Sequence, residues 1–140
     1  MFNLYIIPTK ESKIGVPIVD EQHCSMTSTI NSLYFSMNRG HSQKLLLSTI
    51  EAFEVLASIH FTVEEEILEL INYTYIKNHI EAHKKVRDEL HTLLVKNKRT
   101  GDPNDLLTYF KVHWLPHIDT FDRHYAKFMH NHYNQPDIRS

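Results

Sequence analysis

The sequence is poor in the residues that make tight turns and cross-links. It has 3 glycines, 5 prolines and 1 cysteine among 140 residues, and glycine and proline together stand at about half of their ordinary usage. A chain with so few turn residues favours long helices. The single Cys24 excludes an internal disulfide and a zinc site built from several cysteines, and a lone thiol is typical of a reducing compartment. We therefore expect a cytoplasmic protein.

The chain also lacks an excess of either charge and a long apolar run. It has 15 Lys and Arg residues against 17 Asp and Glu, for a net charge of -2, and no long basic block of the kind a nucleic-acid surface needs. No run approaches the roughly 18 apolar residues of a membrane span, and residues 1–10 lack the features of a signal peptide. We expect neither a nucleic-acid nor a membrane partner, and a single domain over 1–140.

Helical periodicity is the main positive signal. Core-type side chains recur at spacings of three and four residues in four stretches, about 20–38, 43–71, 75–98 and 103–132. Asp20 and Ser42 are predicted N-caps of the first two, and Asp102 followed by Pro103 is predicted to begin the fourth. Short connections between these stretches predict an all-α fold, an antiparallel up-down-up-down four-helix bundle with residues 1–19 as an irregular N-terminal arm.

The core-facing seams of these helices carry histidines and carboxylates. His60 and Glu64 are four residues apart, as are His79 and His83, so each pair shares one helical face. At roughly 1.5 Å of rise per residue, both pairs fall at nearby heights in the bundle. With candidates from the first and fourth helices, the sequence predicts one layer of ligands made of His23, His60, Glu64, His79, His83, His117 and Asp122.

The chemistry of this layer favours a metal. Five imidazoles and two carboxylates in a dry layer are costly unless a cation or a complete hydrogen-bond network compensates them. Imidazole suits zinc, copper, nickel or iron, and two carboxylates able to bridge in a set of seven ligands favour a pair of octahedral irons. The Glu-x-x-His motif of ferritin-like bundles, the Cys-x-x-Cys-His haem motif and the His-Glu-x-x-His zinc motif are all absent from the sequence.

The order of the motifs resembles that of the hemerythrins, in particular the single-domain bacteriohemerythrins. The matching segments are Ile14-Gly15, Val19-Asp20-Glu21-Gln22-His23, His60-Phe61-x-x-Glu64-Glu65, His79-x-x-x-His83 and Trp114-Leu115-Pro116-His117-Ile118-x-x-x-Asp122. They span about residues 14 to 128. The resemblance implies two iron ions, Fe2+ or Fe3+, bridged by an oxo or hydroxo group. It assigns His79, His83 and His117 to one iron, His23 and His60 to the other, and Glu64 and Asp122 to both.

The same resemblance implies the function. Hemerythrins bind O2 reversibly at the iron that has only two histidines, so we expect an O2 carrier, store or delivery protein, or an O2 sensor, and not an enzyme. Two alternatives stay open: a di-iron enzyme acting on NO, peroxide or O2, and an iron store or structural metal site. The expected partner is O2, with NO or small anions as other ligands of the open iron, and the expected oligomeric state is a monomer.

The fourth helix contains a spacing that a regular α-helix does not accommodate. His117 and Asp122 are five residues apart, which separates them by about 140° around an α-helix. Pro116 lacks a backbone N–H, so a kink or π-type widening is predicted between Val112 and Asp122. His113 is a rival partner for His117, and we assign it to a supporting or surface position.

Further expectations concern residues outside the ligand layer. Cys24 is expected to be a small, half-buried hydrophobe without a redox role. Exposure is expected for the remaining histidines, which are His41, His91, His124, His130 and His132. Apolar layers around the ligands are expected to include Ile30, Phe53, Ile67, Trp114 and Phe121.

Overall fold

The fold is a set of four long helices preceded by an arm. The computed structural model describes residues 3–40 and 42–132, and within these ranges it contains helices and turns but no strand. The helices are α1 (Pro17–Asn38), α2 (Gln43–Leu70), α3 (Ile76–Thr100) and α4, a continuous run over 104–132. The predicted all-α four-helix fold is confirmed, with helix ends within a few residues of the predicted ones. The prediction of a single domain over 1–140 includes residues outside the described ranges and stays a prediction.

Consecutive helices pack side by side, joined at 39–42, 71–75 and 101–103. Their apolar seams form one core, in which Ile30 of α1, Phe53 of α2 and Leu94 of α3 are almost fully buried. Burial of such side chains stabilises a domain by about 1.5 to 3 kcal/mol each before the entropy cost of ordering them. The polar layer is thus held within an apolar bundle.

The start of α1 corrects one prediction. The helix begins at Pro17 and its N-cap is Val16, not Asp20; proline suits the first turn because its ring fixes φ and that turn needs no N–H donor. The Asp20 carboxylate instead accepts hydrogen bonds from the backbone N–H of Ile14, at 2.8 Å, and of Gly15, at 3.1 Å. Asp20 therefore ties the N-terminal arm to α1.

The second helix begins as predicted, because the Ser42 hydroxyl accepts a hydrogen bond from the backbone N–H of Leu45. Among the described helices, α2 alone is long and apolar enough, by length and composition, to cross a membrane. It also carries His60 and Glu64, which are buried against the other three helices. The expectation of no membrane span was made from the lack of a long apolar run, and it stays a prediction.

The fourth helix alternates between two geometries. Regular turns at Asn104–Tyr109, Leu115–His117 and Arg123–His132 are separated by π-helical stretches at Phe110–Trp114 and Ile118–Asp122. The predicted widening around Pro116 is therefore confirmed. Its start is shifted by one residue from the prediction, because Pro103 is the N-cap and the Asp102 carboxylate accepts the N–H of Asn104.

Candidate metal centre

The structure brings all seven sequence-predicted ligands into one buried layer. Each helix contributes at least one of them, and none is more than 7% exposed. Their placement on the helices follows from the i,i+4 pairs on α2 and α3 and from the π-helical stretch of α4. In chain order they are His23 on α1, His60 and Glu64 on α2, His79 and His83 on α3, and His117 and Asp122 on α4.

The π-helical turn is what places the two α4 side chains together. In an α-helix a spacing of five residues would turn Asp122 away from His117, whereas a π-helix closes its turn over five residues. In the Ile118–Asp122 stretch the His117 Nε2 atom lies 3.5 Å from the Asp122 Oδ1 atom. The rival His113 is exposed and its ring lies 4.9 Å from that of Tyr109, so it is a surface residue, one of the two positions assigned to it.

The seven side chains form two groups that share their carboxylates. One group is Glu64, His79, His83, His117 and Asp122, and the other is His23, His60, Glu64 and Asp122; within each group the candidate ligand atoms lie within 4.8 Å of one another. Three histidines therefore stand on one side of the carboxylates and two on the other. This is the division that the motif resemblance implies.

Each carboxylate presents one oxygen to each histidine group. Glu64 Oε1 lies 2.8 Å from the Nε2 atoms of His79 and His83, while its Oε2 lies 3.6 Å from Nε2 of His60. Asp122 Oδ1 lies 3.1 Å from Nε2 of His79, and its Oδ2 lies 3.2 Å from Nε2 of His23. Two carboxylates placed in this way are positioned to bridge two cations.

The layer contains several polar atoms without a hydrogen-bond partner, which tests whether a cation fits. Within the described part of the chain, both Asp122 oxygens, both His23 ring nitrogens and Nε2 of His117 lack a hydrogen-bond partner. The Nε2 atoms of His79 and His83 also lie only 3.1 Å apart. Buried polar atoms are rarely left unpaired. Imidazole nitrogens and carboxylate oxygens that converge in this way fit metal ions, and the unpaired atoms show that hydrogen bonds alone do not satisfy the layer.

The pKa shifts show the same imbalance of charge. Burial would raise the pKa of Asp122, but the imidazoles of His117, His23 and His79 around it hold that pKa well below its usual range. Burial and the Asp122 charge would likewise raise the pKa of Glu64, but its hydrogen bonds with His79 and His83 lower it. Two buried carboxylates thus stay ionised and require compensating positive charge.

Two histidines respond to this environment in opposite directions. Burial lowers the pKa of His60 to about 4, against the opposing effect of Glu64. Burial would also lower the pKa of His79, but the Asp122 and Glu64 carboxylates beside its Nε2 raise it to about 9. His60 is therefore ready to act as a neutral ligand, whereas His79 must lose a proton when a metal binds.

Outward hydrogen bonds fix several of the rings. The His60 Nδ1–H donates to the Gln22 Oε1 atom at 3.0 Å, and the His83 Nδ1–H donates to Glu65 Oε2 at 2.7 Å. Glu65 also accepts a hydrogen bond from Arg87. A donor at Nδ1 leaves the Nε2 lone pair free to face the centre, which is how metal-binding histidines are commonly oriented.

The supporting residues were not predicted from the sequence. Gln22 and Glu65 stand beside predicted ligands in the matching motifs, but charge and polarity alone do not distinguish them from surface residues. Tyr125 is fully buried, and its hydroxyl donates to Glu64 Oε2 at 3.0 Å. The signal that could have identified Tyr125 is its position three residues after Asp122, on the same buried face of the helix.

Some expectations for the surrounding residues were wrong. Ile30, Phe53 and Trp114 are buried as expected, whereas Ile67 packs against the core only partly buried, and Phe121, which stacks on the ring of His117, is 38% exposed. Cys24 is exposed and not half-buried. It follows the buried His23 in α1, and successive side chains of an α-helix point about 100° apart.

Among the other histidines, His91, His124 and His132 are exposed as expected. His130 is partly buried, and its Nε2 atom lies 3.1 Å from the position that a Cβ atom would take at Gly15. His41 lies outside the described residues.

A cavity leads from the arm to the two-histidine side of the layer. It has a volume of about 1100 Å³, lies between the arm, α1 and α4, and is lined by His23 and by apolar side chains that include Ile6, Leu115 and Ile118. The His23 end of the layer is therefore the end that faces this cavity.

Comparison with known proteins agrees with the geometry. The family model described as the hemerythrin HHE cation binding domain matches residues 14–129, a range that contains all seven residues of the layer. The bacteriohemerythrin of Stenotrophomonas maltophilia (strain R551-3) is 25% identical over 126 residues, which cover 87% of this chain and 80% of that protein.

Proposed function

The chain belongs to the hemerythrin HHE cation-binding family, and on this premise we propose that it is a non-haem di-iron protein that binds O2 reversibly. The observation that carries the proposal is the position of Glu64 and Asp122, each with one oxygen toward each histidine group. Two iron ions held there would supply the reversible binding of O2, a chemistry that the side chains alone do not have.

The proposed ligand assignment follows the two groups of donors. His79, His83 and His117 would hold one iron and His23 and His60 the other, with Glu64 and Asp122 shared between them. The first group then offers five protein donors and the second only four, so we place O2 at the second. The cavity that reaches His23 supports this side as the point of access.

Residues around the layer would favour reversible binding of O2 over irreversible oxidation of the iron. Phe61 and Trp114 are almost fully buried, with the Phe61 ring 4.6 Å from the His83 ring and the Trp114 ring 6.1 Å from that of His60. Such rings exclude water and free protons, which slows irreversible oxidation of the iron. Burial raises the pKa of Tyr125 well above its usual value, so its hydroxyl keeps its proton and holds Glu64 in place.

We propose a carrier or store of O2 in the cytoplasm, with NO and small anions as competing ligands. The layer lies against the buried rings of Phe61 and Trp114 and opens to the arm cavity at His23, an arrangement that suits a small neutral ligand. An enzyme that reduces NO, peroxide or O2 would use the same ligands, so the two functions differ in what happens after the ligand binds.

A visible absorption spectrum distinguishes these functions. Reduced, iron-loaded protein is prepared without oxygen, exposed to O2 and then flushed with inert gas. For an O2 carrier, a new visible band forms with O2 and disappears on flushing, in the wild type and in the control variant Cys24→Ser. A band that decays at once while O2 or peroxide is consumed would replace the carrier with an enzyme, and iron that changes only the protein's stability would indicate a structural or storage site.

A further inference from the structure

A second pocket reaches the layer next to the arm cavity, with which it shares Thr120. It has a volume of about 260 Å³. Its inner end is His79, a member of the three-histidine group, whereas the arm cavity ends at His23 of the two-histidine group. The residues that line it are Tyr73, Tyr75, Asn78, His79, Thr120, Phe121 and His124.

Large aromatic rings stand exposed at this pocket. Tyr75 is 53% exposed and Phe121 is 38% exposed, although rings of this size are ordinarily packed in a core or an interface. The Tyr75 ring lies 5.5 Å from that of His124, and the hydroxyl of Tyr73 is hydrogen-bonded to His124 Nδ1. These contacts fix one wall of the pocket before any ligand arrives.

The opposite wall is in direct contact with the candidate iron ligands. The Phe121 ring is stacked on that of His117, with 5.1 Å between centroids and 22° between planes, and lies 5.9 Å from the ring of His79. A flat molecule in the pocket would therefore be separated from two of the histidines by no more than one aromatic ring.

The polarity of the pocket defines what it would hold. None of its seven lining residues is Asp, Glu, Lys or Arg, while Asn78 and Thr120 contribute an amide and a hydroxyl. The volume lies just under the range of about 300 to 1000 Å³ that is usual for drug-sized ligands. Aromatic walls, neutral hydrogen-bond donors and this volume suit an uncharged planar ring system of one to three rings that carries carbonyl oxygens.

We propose that this pocket binds the ring of a planar two-electron carrier, a quinone or a flavin, and that the carrier reduces the iron centre. The inference rests on the proposed di-iron function. A protein whose Fe(II) ions bind O2 needs a reductant that returns them to Fe(II) after they are oxidised to Fe(III). The reduced carrier would give up two electrons and two protons; each Fe(III) would take one electron, the protons would pass to water, and the carrier would leave oxidised.

Binding is tested first on the metal-free protein, with menadione as the quinone and riboflavin as the flavin. Saturation-transfer NMR and riboflavin fluorescence should show saturable binding of at least one of them, and the probe that binds identifies the carrier class. Tyr75→Leu and Phe121→Leu should each weaken that binding about tenfold, since each removes a stacking ring. Phe35→Leu is the matched control, because Phe35 is also 38% exposed but lines the arm cavity.

The iron-loaded ferric protein gives the second readout. Reduced menadione or reduced riboflavin should bleach its visible absorption without oxygen, several-fold more slowly in Tyr75→Leu than in the wild type or Phe35→Leu. Absence of saturable binding, or binding that Phe35→Leu weakens and Tyr75→Leu does not, would overturn the proposal. A protein that binds a probe but holds no iron would instead refute the proposed function and leave the pocket as a binding site.

Discussion

Two histidines of the candidate centre, His60 and His83, have a hydrogen-bond partner on the outer nitrogen. Glu65 accepts hydrogen bonds from both His83 and Arg87 while it stays partly exposed. Its carboxylate therefore fixes the His83 ring and increases the basicity of the inward nitrogen.

We predict that Glu65→Gln weakens iron binding by about 10- to 100-fold without emptying the site, the usual effect of losing such a partner. The measurement is the competition for iron between the protein and a chelator of known affinity. Glu66→Gln, at the exposed neighbouring position, should not change the affinity; if both variants behave alike, Glu65 has no orienting role.

Loss of a direct ligand should have a larger effect. We predict that His79→Ala reduces the iron content by at least one ion per chain after reconstitution, because His79 Nε2 lies within 3.1 Å of both shared carboxylates. His91→Ala on the same helix, at an exposed position, is the control. Full iron content in His79→Ala, measured by elemental analysis, would contradict the assignment.

At the scale of single residues, the sequence predicted the inward-facing groups better than their supports. His60, Glu64, His79 and His83 are recognisable because a polar residue on an apolar helical seam needs a reason to be there. Gln22 and Glu65 lie at the edge of the bundle, where polar residues are common. Their spacing therefore does not distinguish them from other surface residues. Phe121 contacts the layer through His117 and is still 38% exposed, which its spacing did not indicate.

At the scale of elements, α4 shows how a local irregularity serves the centre. Pro116 cannot donate a backbone hydrogen bond, and the π-helical stretches lie directly before and after the short turn that contains it. The helix thereby brings His117 and Asp122 onto one face. The spacing of five residues allowed this to be predicted, whereas the exact bounds of the two stretches depend on packing against the other helices.

The packing of the N-terminal arm was the least predictable part of the fold. Asp20 was predicted to cap α1, since Asp is a common N-cap, but Pro17 starts the helix one turn earlier and leaves Asp20 free to bind the arm. Its two hydrogen bonds to Ile14 and Gly15 join segments whose contact no periodicity reveals.

We predict that Asp20→Ala loosens the arm and lowers the free energy of unfolding by about 2 kcal/mol, the range for hydrogen bonds to a charged group. Limited trypsin digestion should then cleave faster at Lys10 and Lys13, and denaturant unfolding gives the energy. Glu21→Ala, an exposed neighbour, is the control. Unchanged cleavage and stability in Asp20→Ala would show that other contacts hold the arm.

At the scale of the whole molecule, the fold places a charged layer inside an apolar bundle, and the metal-free protein should reveal its cost. The pKa of His60 is lowered to about 4, so the unfolded chain binds more protons and stability falls as the pH drops from about 6.5 toward 4. The pKa of His79 is raised to about 9, so its contribution is complete below about 6.5 and is lost as the pH rises through 9.

We therefore predict that the metal-free protein is most stable near pH 6.5, with each histidine contributing of the order of 3 kcal/mol at the extremes. Denaturant unfolding at pH 4 to 9 measures this profile. In His60→Leu the loss between pH 6.5 and 4 should become smaller, whereas His91→Ala should leave the profile unchanged. A stability that keeps rising up to pH 9 would contradict the predicted charge of His79.

The bundle itself was predictable because helix periodicity, scarce turn residues and short connections all indicate the same fold. Helical rise alone predicted the height of the seven-residue layer in the bundle only approximately. The two openings to the layer were not predictable, because they depend on how the arm and the 71–75 connection pack.

The central claim is that two irons share Glu64 and Asp122, and Mössbauer spectroscopy of protein reconstituted with 57Fe, with iron quantified per chain, tests it most directly. We predict two irons per chain and, in the oxidised protein, a diamagnetic ground state from coupling through the bridges. One iron per chain, or two irons that are magnetically independent, would contradict the account.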